Sequence, residues 1–281
     1  MTEPFVRESG DGPAVVCLHS SASSSAQWRA LAEQLSGRFR VLAVDLYGCG
    51  RTPAWTQPRP LRLDDEVALL DQVWRRAGDR FHVVGHSYGG AVAVSAALRH
   101  ADRVASLVLY EPAMFGLLTA LEPQSAAAAE IGRVRSDTLE LVESGDLARA
   151  ASRFGAYWLG DEAWAALPPS RQAAMAAAMP SVMPQWQAAF AELPSLPDLR
   201  NLSIPIRLLG GADSTAAARA VSRLLASVLR QSKHELPGCG HMAPVTAPER
   251  VNPAIEKFLV YDQPVVRFRL DQPLKLLPPA G

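Results

Sequence analysis

The stretch FHVVGHSYGGAVAVSAAL, residues 81–98, decides the fold. Its FHVV run predicts a buried strand, and its YGGAVAVSAAL run has the composition and spacing of a helix. Between the two, Gly85, Ser87 and Gly89 form a G-x-S-x-G turn. A strand that passes directly into a helix through such a turn predicts a βαβ unit and therefore a parallel sheet.

The same alternation of short apolar runs and longer helical patterns extends along most of the chain. The apolar runs predict strands that are buried on both faces, as in a parallel sheet. With 81–84 they cover residues 14–18, 41–44, 104–109 and 204–209, and the helical patterns cover 26–35, 64–77, 88–98, 216–229 and 248–259. This order predicts an α/β fold with a mostly parallel, doubly wound sheet.

One long segment, from about Pro112 to Leu202, contains no convincing strand. It is rich in alanine, methionine and aromatic residues, and its prolines predict a series of short helices. We interpret it as a helical insertion above the sheet, whose Met and aromatic side chains either pack in a core or line an apolar pocket. The predicted organisation is a core formed by 1–111 and 203–261, the insertion at 112–202, and a C-terminal tail at 262–281 that fits an edge strand or a surface segment.

The composition predicts a globular protein that binds small, weakly charged molecules. Of 281 residues, 48% are hydrophobic and 20% are charged, so the chain has enough apolar side chains to fold around a core. Its 28 Lys and Arg residues balance 28 Asp and Glu residues, which gives no long-range attraction to nucleic acid or to an acidic membrane. The composition leaves the oligomeric state open.

The N-terminal sequence and the cysteines predict a cytoplasmic location. Residues 1–13 mix acidic and basic side chains where a secretory signal would have a basic start and an apolar stretch, and no window approaches the length of an apolar membrane helix. Cys17, Cys49 and Cys239 are an odd number at unrelated spacings, which favours a reducing compartment over a disulfide framework.

Ser87 is the first candidate for chemistry. In a G-x-S-x-G turn between a strand and a helix, the serine takes a strained backbone conformation that exposes its hydroxyl above the carboxyl ends of the strands. The N–H of Tyr88, at the start of the helix, can then donate to a developing oxyanion. The alternatives are a glycine-rich turn that only packs and a phosphate-binding loop, which is disfavoured because no lysine follows the glycines.

A serine hydroxyl needs a base to remove its proton, and His241 is the best placed of six histidines. It lies in the loop PGCGHMAP, residues 237–244, whose glycines and prolines allow an imidazole to turn back over the sheet. A metal site at Cys239 and His241 is disfavoured because no second ligand pair stands at suitable spacing. The other five histidines lie in or beside predicted elements and are expected to be structural or exposed: His19, His82, His86, His100 and His234.

Two carboxylates compete to orient the histidine. Asp213 follows a predicted strand in the sequence GGAD and gives the chain order Ser, Asp, His. Its other possible role is to cap the following helix. Glu111 directly follows the predicted strand that ends at Tyr110 and is the rival acid. We expect Asp213 to orient the imidazole, with Glu111 as the alternative.

Together these motifs resemble the α/β-hydrolase family, which includes carboxylesterases, lactonases, perhydrolases and carbon–carbon bond hydrolases. GHSYGG, GGAD and GCGHMAP carry the resemblance, and DLYGCGRT at residues 45–52 is similar to the family's D-x-x-G-x-G-x-S turn. The likeness spans roughly residues 5–260. It implies that the insertion is a helical cap that roofs the active site and shapes its pocket.

The first loop departs from the family pattern. Many members have His-Gly after the first buried strand, whereas this chain has His19-Ser20-Ser21. By position, the N–H of Ser21 should be a second oxyanion donor beside that of Tyr88, and the alternative is a serine-rich turn that only shapes the chain.

The resemblance and the motif residues imply acyl-group hydrolysis. We expect a carboxylesterase that cleaves small or medium uncharged esters through an acyl-enzyme, with no cofactor and no metal. The alternatives are other reactions of the same residues, namely lactone, amide or carbon–carbon bond hydrolysis, perhydrolysis and acyl transfer, or a receptor that binds a small ligand without turnover. The fold alone does not separate them.

Overall fold

The computed structural model describes residues 2–191 and 194–261, in which the chain forms one seven-stranded sheet with the order β1-β3-β2-β4-β5-β6-β7. The strands are β1 (Val6–Ser9), β2 (Ala14–Leu18), β3 (Arg40–Val44), β4 (Phe81–His86), β5 (Val104–Tyr110), β6 (Ile206–Gly211) and β7 (Lys233–Leu236). Strand β1 runs antiparallel to β3, and every other pairing is parallel. The predicted α/β fold with a mostly parallel sheet is confirmed.

Helices cover both faces of this sheet. They are α1 (Arg29–Leu35, preceded by a 3₁₀ turn at Ser25–Trp28), α2 (Leu63–Leu69), α3 (Asp71–Ala77), α4 (Tyr88–Arg99), α5 (Phe115–Leu121), α6 (Ala126–Glu143), α7 (Leu147–Leu159), α8 (Asp161–Ala165), α9 (Pro169–Ala191), α10 (Leu196–Asn201), α11 (Ala216–Leu229), α12 (Ala243–Thr246) and α13 (Pro248–Val260). Helices α1 and α13 pack on one face, and α2, α3, α4 and α11 pack on the other.

The strand sequences explain why both faces are covered. Neighbouring residues of a strand point to opposite faces, so in β2 the side chains of Val15 and Val16 enter two separate apolar clusters. Both valines are fully buried. A strand that is apolar at every position cannot leave one face to water, and two layers of helices follow.

Six helices, α5 to α10, stand between β5 and β6, where the sequence predicted a helical insertion. The prediction that prolines divide this segment into short helices is wrong at α9, which runs through Pro180 and Pro184. Burial of Met179, Val182 and Trp186 on this helix supplies packing that local propensity does not count.

The domain limits at 111/112 and 202/203 stay predictions. The predicted tail at 262–281 lies outside the described residues.

The parallel strands bring the loops that follow β2, β4, β5 and β6 to one edge of the sheet. These four strands end at Leu18, His86, Tyr110 and Gly211. In an open parallel sheet, ligands bind at this carboxyl edge. The predicted site residues come within three residues of the ends of these strands, apart from His241, which comes from the loop after β7.

Candidate active site

Ser87 occupies a strained turn between β4 and α4. Its φ of 53° and ψ of −119° are unusual for a residue with a side chain. A Cβ atom at Gly85 would lie 2.5 Å from the Gly89 carbonyl oxygen, and one at Gly89 would lie 2.4 Å from the Leu18 carbonyl oxygen. The flanking glycines are therefore required by close backbone approach. The Ser87 N–H donates to the Tyr110 carbonyl at 3.0 Å, which ties the turn to β5.

His241 joins Ser87 to a buried carboxylate. The Nε2 atom of His241 lies 3.0 Å from Ser87 Oγ, and its Nδ1 atom lies 2.8 Å from Glu111 Oε2. All three residues are buried: His241 is 2% exposed, Ser87 is 7% exposed and Glu111 is 1% exposed. Because a carboxylate only accepts, Nδ1 carries the proton and leaves Nε2 free to accept the proton of the serine hydroxyl.

Glu111 is held by three hydrogen bonds. Its Oε1 atom accepts from the Gly211 N–H at 2.8 Å, and Oε2 accepts from Ser214 Oγ at 2.6 Å as well as from His241. Its backbone φ is 42°, a second strained non-glycine conformation at this edge of the sheet. The bonds and the backbone together fix the direction of the carboxylate.

The structure brings Glu111, and not Asp213, to His241. The Asp213 residue is exposed, and its backbone N–H donates to the Cys239 carbonyl at 3.0 Å. Among residues 2–191 and 194–261, no hydrogen bond joins its side chain to His241. The turn after β6 directs the Gly211 N–H and the Ser214 hydroxyl at Glu111, so this turn supports one carboxylate and presents the other to solvent.

The carbonyl groups of three successive residues anchor the histidine loop. Those of Cys239, Gly240 and His241 accept from the Asp213 N–H, the Tyr110 hydroxyl and His86 Nε2, at 3.0, 2.8 and 2.9 Å. These bonds hold the loop around His241 to the turn after β6 and to strands β4 and β5.

The two expected oxyanion donors are the N–H groups of Tyr88 and Ser21. Tyr88 is the first residue of α4, so its N–H belongs to the positive end of the helix dipole. Ser21 is buried in the loop after β2, and its Oγ atom has no hydrogen-bond partner among the described residues. The next residue, Ala22, has φ of 55°, so this loop too stores backbone strain.

An aromatic ring of the insertion covers the base. The Trp158 ring centre lies 4.1 Å from that of His241, with 33° between the planes. Trp158 in turn contacts Phe115, Phe154 and Trp186 edge-on or stacked. The sequence did not show which aromatic residues of the insertion would reach the site, because their spacing reports a buried face and not its neighbour.

A buried acid, Glu66, lies behind Tyr88. Its Oε1 accepts from the Tyr88 hydroxyl and its Oε2 from the Tyr47 N–H, both at 3.2 Å. Burial raises the pKa of Glu66 to about 8. Nothing in the sequence distinguishes Glu66, because it belongs to an ordinary helical pattern.

Two structural features bear on cofactors and membranes. In the part of the chain that the structure describes, no group of three or more His, Cys, Asp or Glu side chains is arranged to hold a metal ion. Within the same residues, every helix is too short or too polar to cross a bilayer.

Known proteins resemble the chain in sequence and in fold. A pimeloyl-[acyl-carrier protein] methyl ester esterase of Nitrosomonas europaea is 37% identical over 109 residues, which are 39% of this chain and 41% of that protein. The chain thus matches about two fifths of that relative's length. The protein of the same name from Edwardsiella ictaluri is 29% identical over 252 residues, covering 87% of this chain and 92% of that one.

A solved structure, the enol-lactonase of Burkholderia xenovorans LB400, superposes with a TM-score of 0.72 at 20% identity, over 92% of this chain and 96% of that chain. Its low identity shows the fold alone. The sequence profile described as "Alpha/beta hydrolase family" matches residues 15–254. Because this match spans most of the chain, the chain belongs to the alpha/beta hydrolase family.

Proposed function

We propose that the protein is a serine hydrolase that cleaves small to medium uncharged carboxylic esters. The observation that carries the proposal is the continuous hydrogen-bonded arrangement of Ser87 Oγ, the His241 imidazole and the Glu111 carboxylate. Such an arrangement activates a hydroxyl as a nucleophile.

The proposed reaction has two halves. Ser87 Oγ attacks the ester carbonyl while His241 Nε2 takes its proton, and the N–H groups of Ser21 and Tyr88 stabilise the oxyanion. His241 then gives the proton to the leaving alcohol, which leaves an acyl group on Ser87. In the second half, water attacks the acyl group with His241 again as base, and the acid product departs.

Glu111 is the proposed acid in this scheme. Its Oε2 atom is at hydrogen-bond distance from His241 Nδ1, and it would stabilise the imidazolium that forms when the serine proton is taken. Asp213 is assigned a different role. Its backbone N–H holds the Cys239 carbonyl and so supports the loop that carries the base.

The surroundings of the site support an uncharged ester as substrate. The Trp158 ring lies over His241 at a tilt, and the side chains beside it, Phe115 and Phe154, are apolar and buried. A charged substrate would lose its hydration against such rings without a partner. A relative that is similar over most of both chains is named as a methyl ester esterase, in line with ester chemistry.

We propose that residues 112–202 act as the cap over this site, and that the protein acts in the cytoplasm.

Turnover of p-nitrophenyl esters from acetate to octanoate tests the proposal. We expect Ser87→Ala and His241→Ala each to lower kcat by about 10³ or more, and the double variant to be scarcely worse, because the two residues act as one unit. Ser144→Ala, an exposed serine at the end of α6, is the matched control and should leave kcat unchanged.

The same panel, extended to lactones, amides and diketones, separates the alternatives. Higher kcat/KM on a lactone or diketone than on every ester would move the assignment to that reaction. Normal ester turnover by folded Ser87→Ala protein would refute the mechanism, and thermal stabilisation by a ligand without any turnover would favour a receptor.

A further inference from the structure

A continuous chain of hydrogen bonds connects the loop after β2 to the loop that carries His241. The Ser20 N–H and the Ser20 hydroxyl both donate to Gln27 Oε1, at 3.1 and 3.0 Å. Gln27 Nε2 lies 3.1 Å from His86 Nδ1, and His86 Nε2 lies 2.9 Å from the carbonyl oxygen of His241. Two side chains, those of Gln27 and His86, thus span the distance between the two loops.

The direction of every bond in this chain is determined. A carbonyl oxygen only accepts, so His86 Nε2 carries the proton and, in the neutral ring, Nδ1 is an acceptor. Gln27 must then present its NH₂ group to His86, which turns its Oε1 atom toward the two Ser20 donors. Each donor meets an acceptor, and the arrangement allows only one orientation of the Gln27 amide.

His86 keeps its neutral form in this position. It is fully buried, and this burial holds its pKa well below the usual value of 6.5, with a smaller effect from the charge of the neighbouring His241. The neutral ring therefore keeps Nδ1 as the acceptor that faces Gln27.

The loop at the other end needs support from outside itself. Ala22 has φ of 55°, a conformation that is unfavourable for a non-glycine residue, and the neighbouring Ser21 hydroxyl has no partner among the described residues. A strained conformation persists only where its surroundings determine it. The two bonds from Ser20 to Gln27 are contacts of this kind, and one of them requires the hydroxyl of Ser20.

We propose that Gln27 and His86 are positioning residues that hold the Ser21 N–H at a fixed distance from His241. The inference rests on the proposed function, because it assigns the Ser21 N–H to the oxyanion. Neither side chain touches the substrate. Each acts through a backbone: Gln27 through Ser20, and His86 through the carbonyl of His241.

This role predicts which kinetic constant should change. An oxyanion donor contributes only when the carbonyl oxygen becomes negative, and removing one donor costs about 10²–10³ in kcat. A donor that is displaced and not removed should cost less. Gln27→Leu, which has a similar volume and no polar atoms, should therefore lower kcat by roughly 10- to 100-fold while KM changes little.

Two inhibitors separate positioning from general damage. Butylboronic acid adds to the serine hydroxyl and mimics the tetrahedral intermediate, whereas butyric acid mimics the product. We expect Gln27→Leu to weaken the boronic acid by the same factor as kcat/KM and to leave the Ki of butyric acid within about twofold. Gln34→Leu is the matched control, because Gln34 belongs to the neighbouring helix α1 and its side chain donates to Glu256 at the surface.

Two further variants keep the test decisive if Gln27→Leu does not fold. Ser20→Ala removes the hydroxyl bond alone and should lower kcat by about 2- to 5-fold. His86→Leu breaks the chain at its other end, and adding Gln27→Leu to it should cost little more, since residues of one network are not additive.

The outcomes distinguish the two levels of the argument. If the wild-type protein neither hydrolyses an ester nor is labelled at Ser87 by a fluorophosphonate, the proposed function falls and this inference falls with it. If the wild type is active and Gln27→Leu keeps kcat/KM within twofold, or loses boronic acid and butyric acid affinity equally, the positioning role is refuted and the proposed function stands.

Discussion

Replacing Glu111 by Gln perturbs the proposed acid with the smallest change of shape. The Gly211 N–H can still donate to the amide oxygen at the place of Oε1. The NH₂ group must then stand at the place of Oε2, facing His241 Nδ1 at 2.8 Å and Ser214 Oγ at 2.6 Å. The serine hydroxyl can turn and accept, but the Nδ1–H cannot.

His241 must therefore change tautomer in the Glu111→Gln variant. With Nδ1 as acceptor, the proton moves to Nε2, which then cannot take the proton of Ser87. The imidazolium also loses its counter-charge. We expect kcat to fall by roughly 10²–10⁴, which corresponds to about 3 to 5 kcal/mol of transition-state stabilisation.

Asp213→Asn is the matched control for this change. Its side chain is exposed, and the backbone bond that Asp213 makes to Cys239 does not depend on the charge. We expect kcat within about threefold of the wild type, a surface effect. Both variants are assayed on p-nitrophenyl butyrate after circular dichroism has shown that they are folded. The reverse ranking would return the acid role to Asp213 and refute the geometric argument.

Three more predictions concern the groups around the site. Glu66 is protonated in the folded protein below about pH 8 but ionises in the unfolded chain above about pH 4.5, so through this group the free energy of unfolding should fall by roughly 3 kcal/mol from pH 5 to pH 8. In urea titrations, the free energy of unfolding of the Glu66→Gln variant should lack this part of the pH dependence. The same pH dependence in the variant and the wild type would contradict the prediction. Trp158→Leu should shift the preference of kcat/KM toward longer acyl chains by about 1–3 kcal/mol, and an unchanged chain-length profile would place the pocket elsewhere. Ala22→Gly relieves the strain of a φ of 55° and should raise the free energy of unfolding by up to about 1 kcal/mol. The same change should lower kcat, because glycine allows the loop after β2 more conformations. A destabilised variant would argue against strain at this position.

The sequence predicts most of the fold because hydrophobic periodicity is a local property. The run at Ala14–Leu18 is a strand with the predicted ends, and the pattern at Ala216–Leu229 is the predicted helix. The failure at α9 has the opposite cause. Pro180 and Pro184 are unfavourable within a helix, and packing of α9 against other helices, chiefly α5 and α7, offsets that cost.

The site is predictable where one short segment determines the geometry. Ser87 could be predicted from the glycines on either side of it, because the close approach of other backbone atoms permits no other residue type at those glycine positions. The choice between Glu111 and Asp213 is different in kind, since both follow strands at the same edge of the sheet and either could reach the histidine loop. It depends on which way the turn after β6 directs its donors. Gln27 and His86 lie 59 positions apart, and no periodic signal connects them.

The proposed acid, Glu111, directly follows β5, the strand that pairs with β4. Strands β4 and β5 are neighbours, and their last residues, His86 and Tyr110, pair with each other. Ser87, the proposed nucleophile, and Glu111 therefore each follow one residue of this pair. The Ser87 N–H donates to the Tyr110 carbonyl, and the Tyr110 hydroxyl donates to the Gly240 carbonyl beside the base. Their relative positions are then set by strand pairing and by bonds from strand residues, and not by the course of a long loop. An acid on the turn after β6 would stand one strand farther from the nucleophile. The turn that contains Asp213 is consequently free to act as a support, which it does through the Gly211 N–H, the Ser214 hydroxyl and its own backbone bond to Cys239.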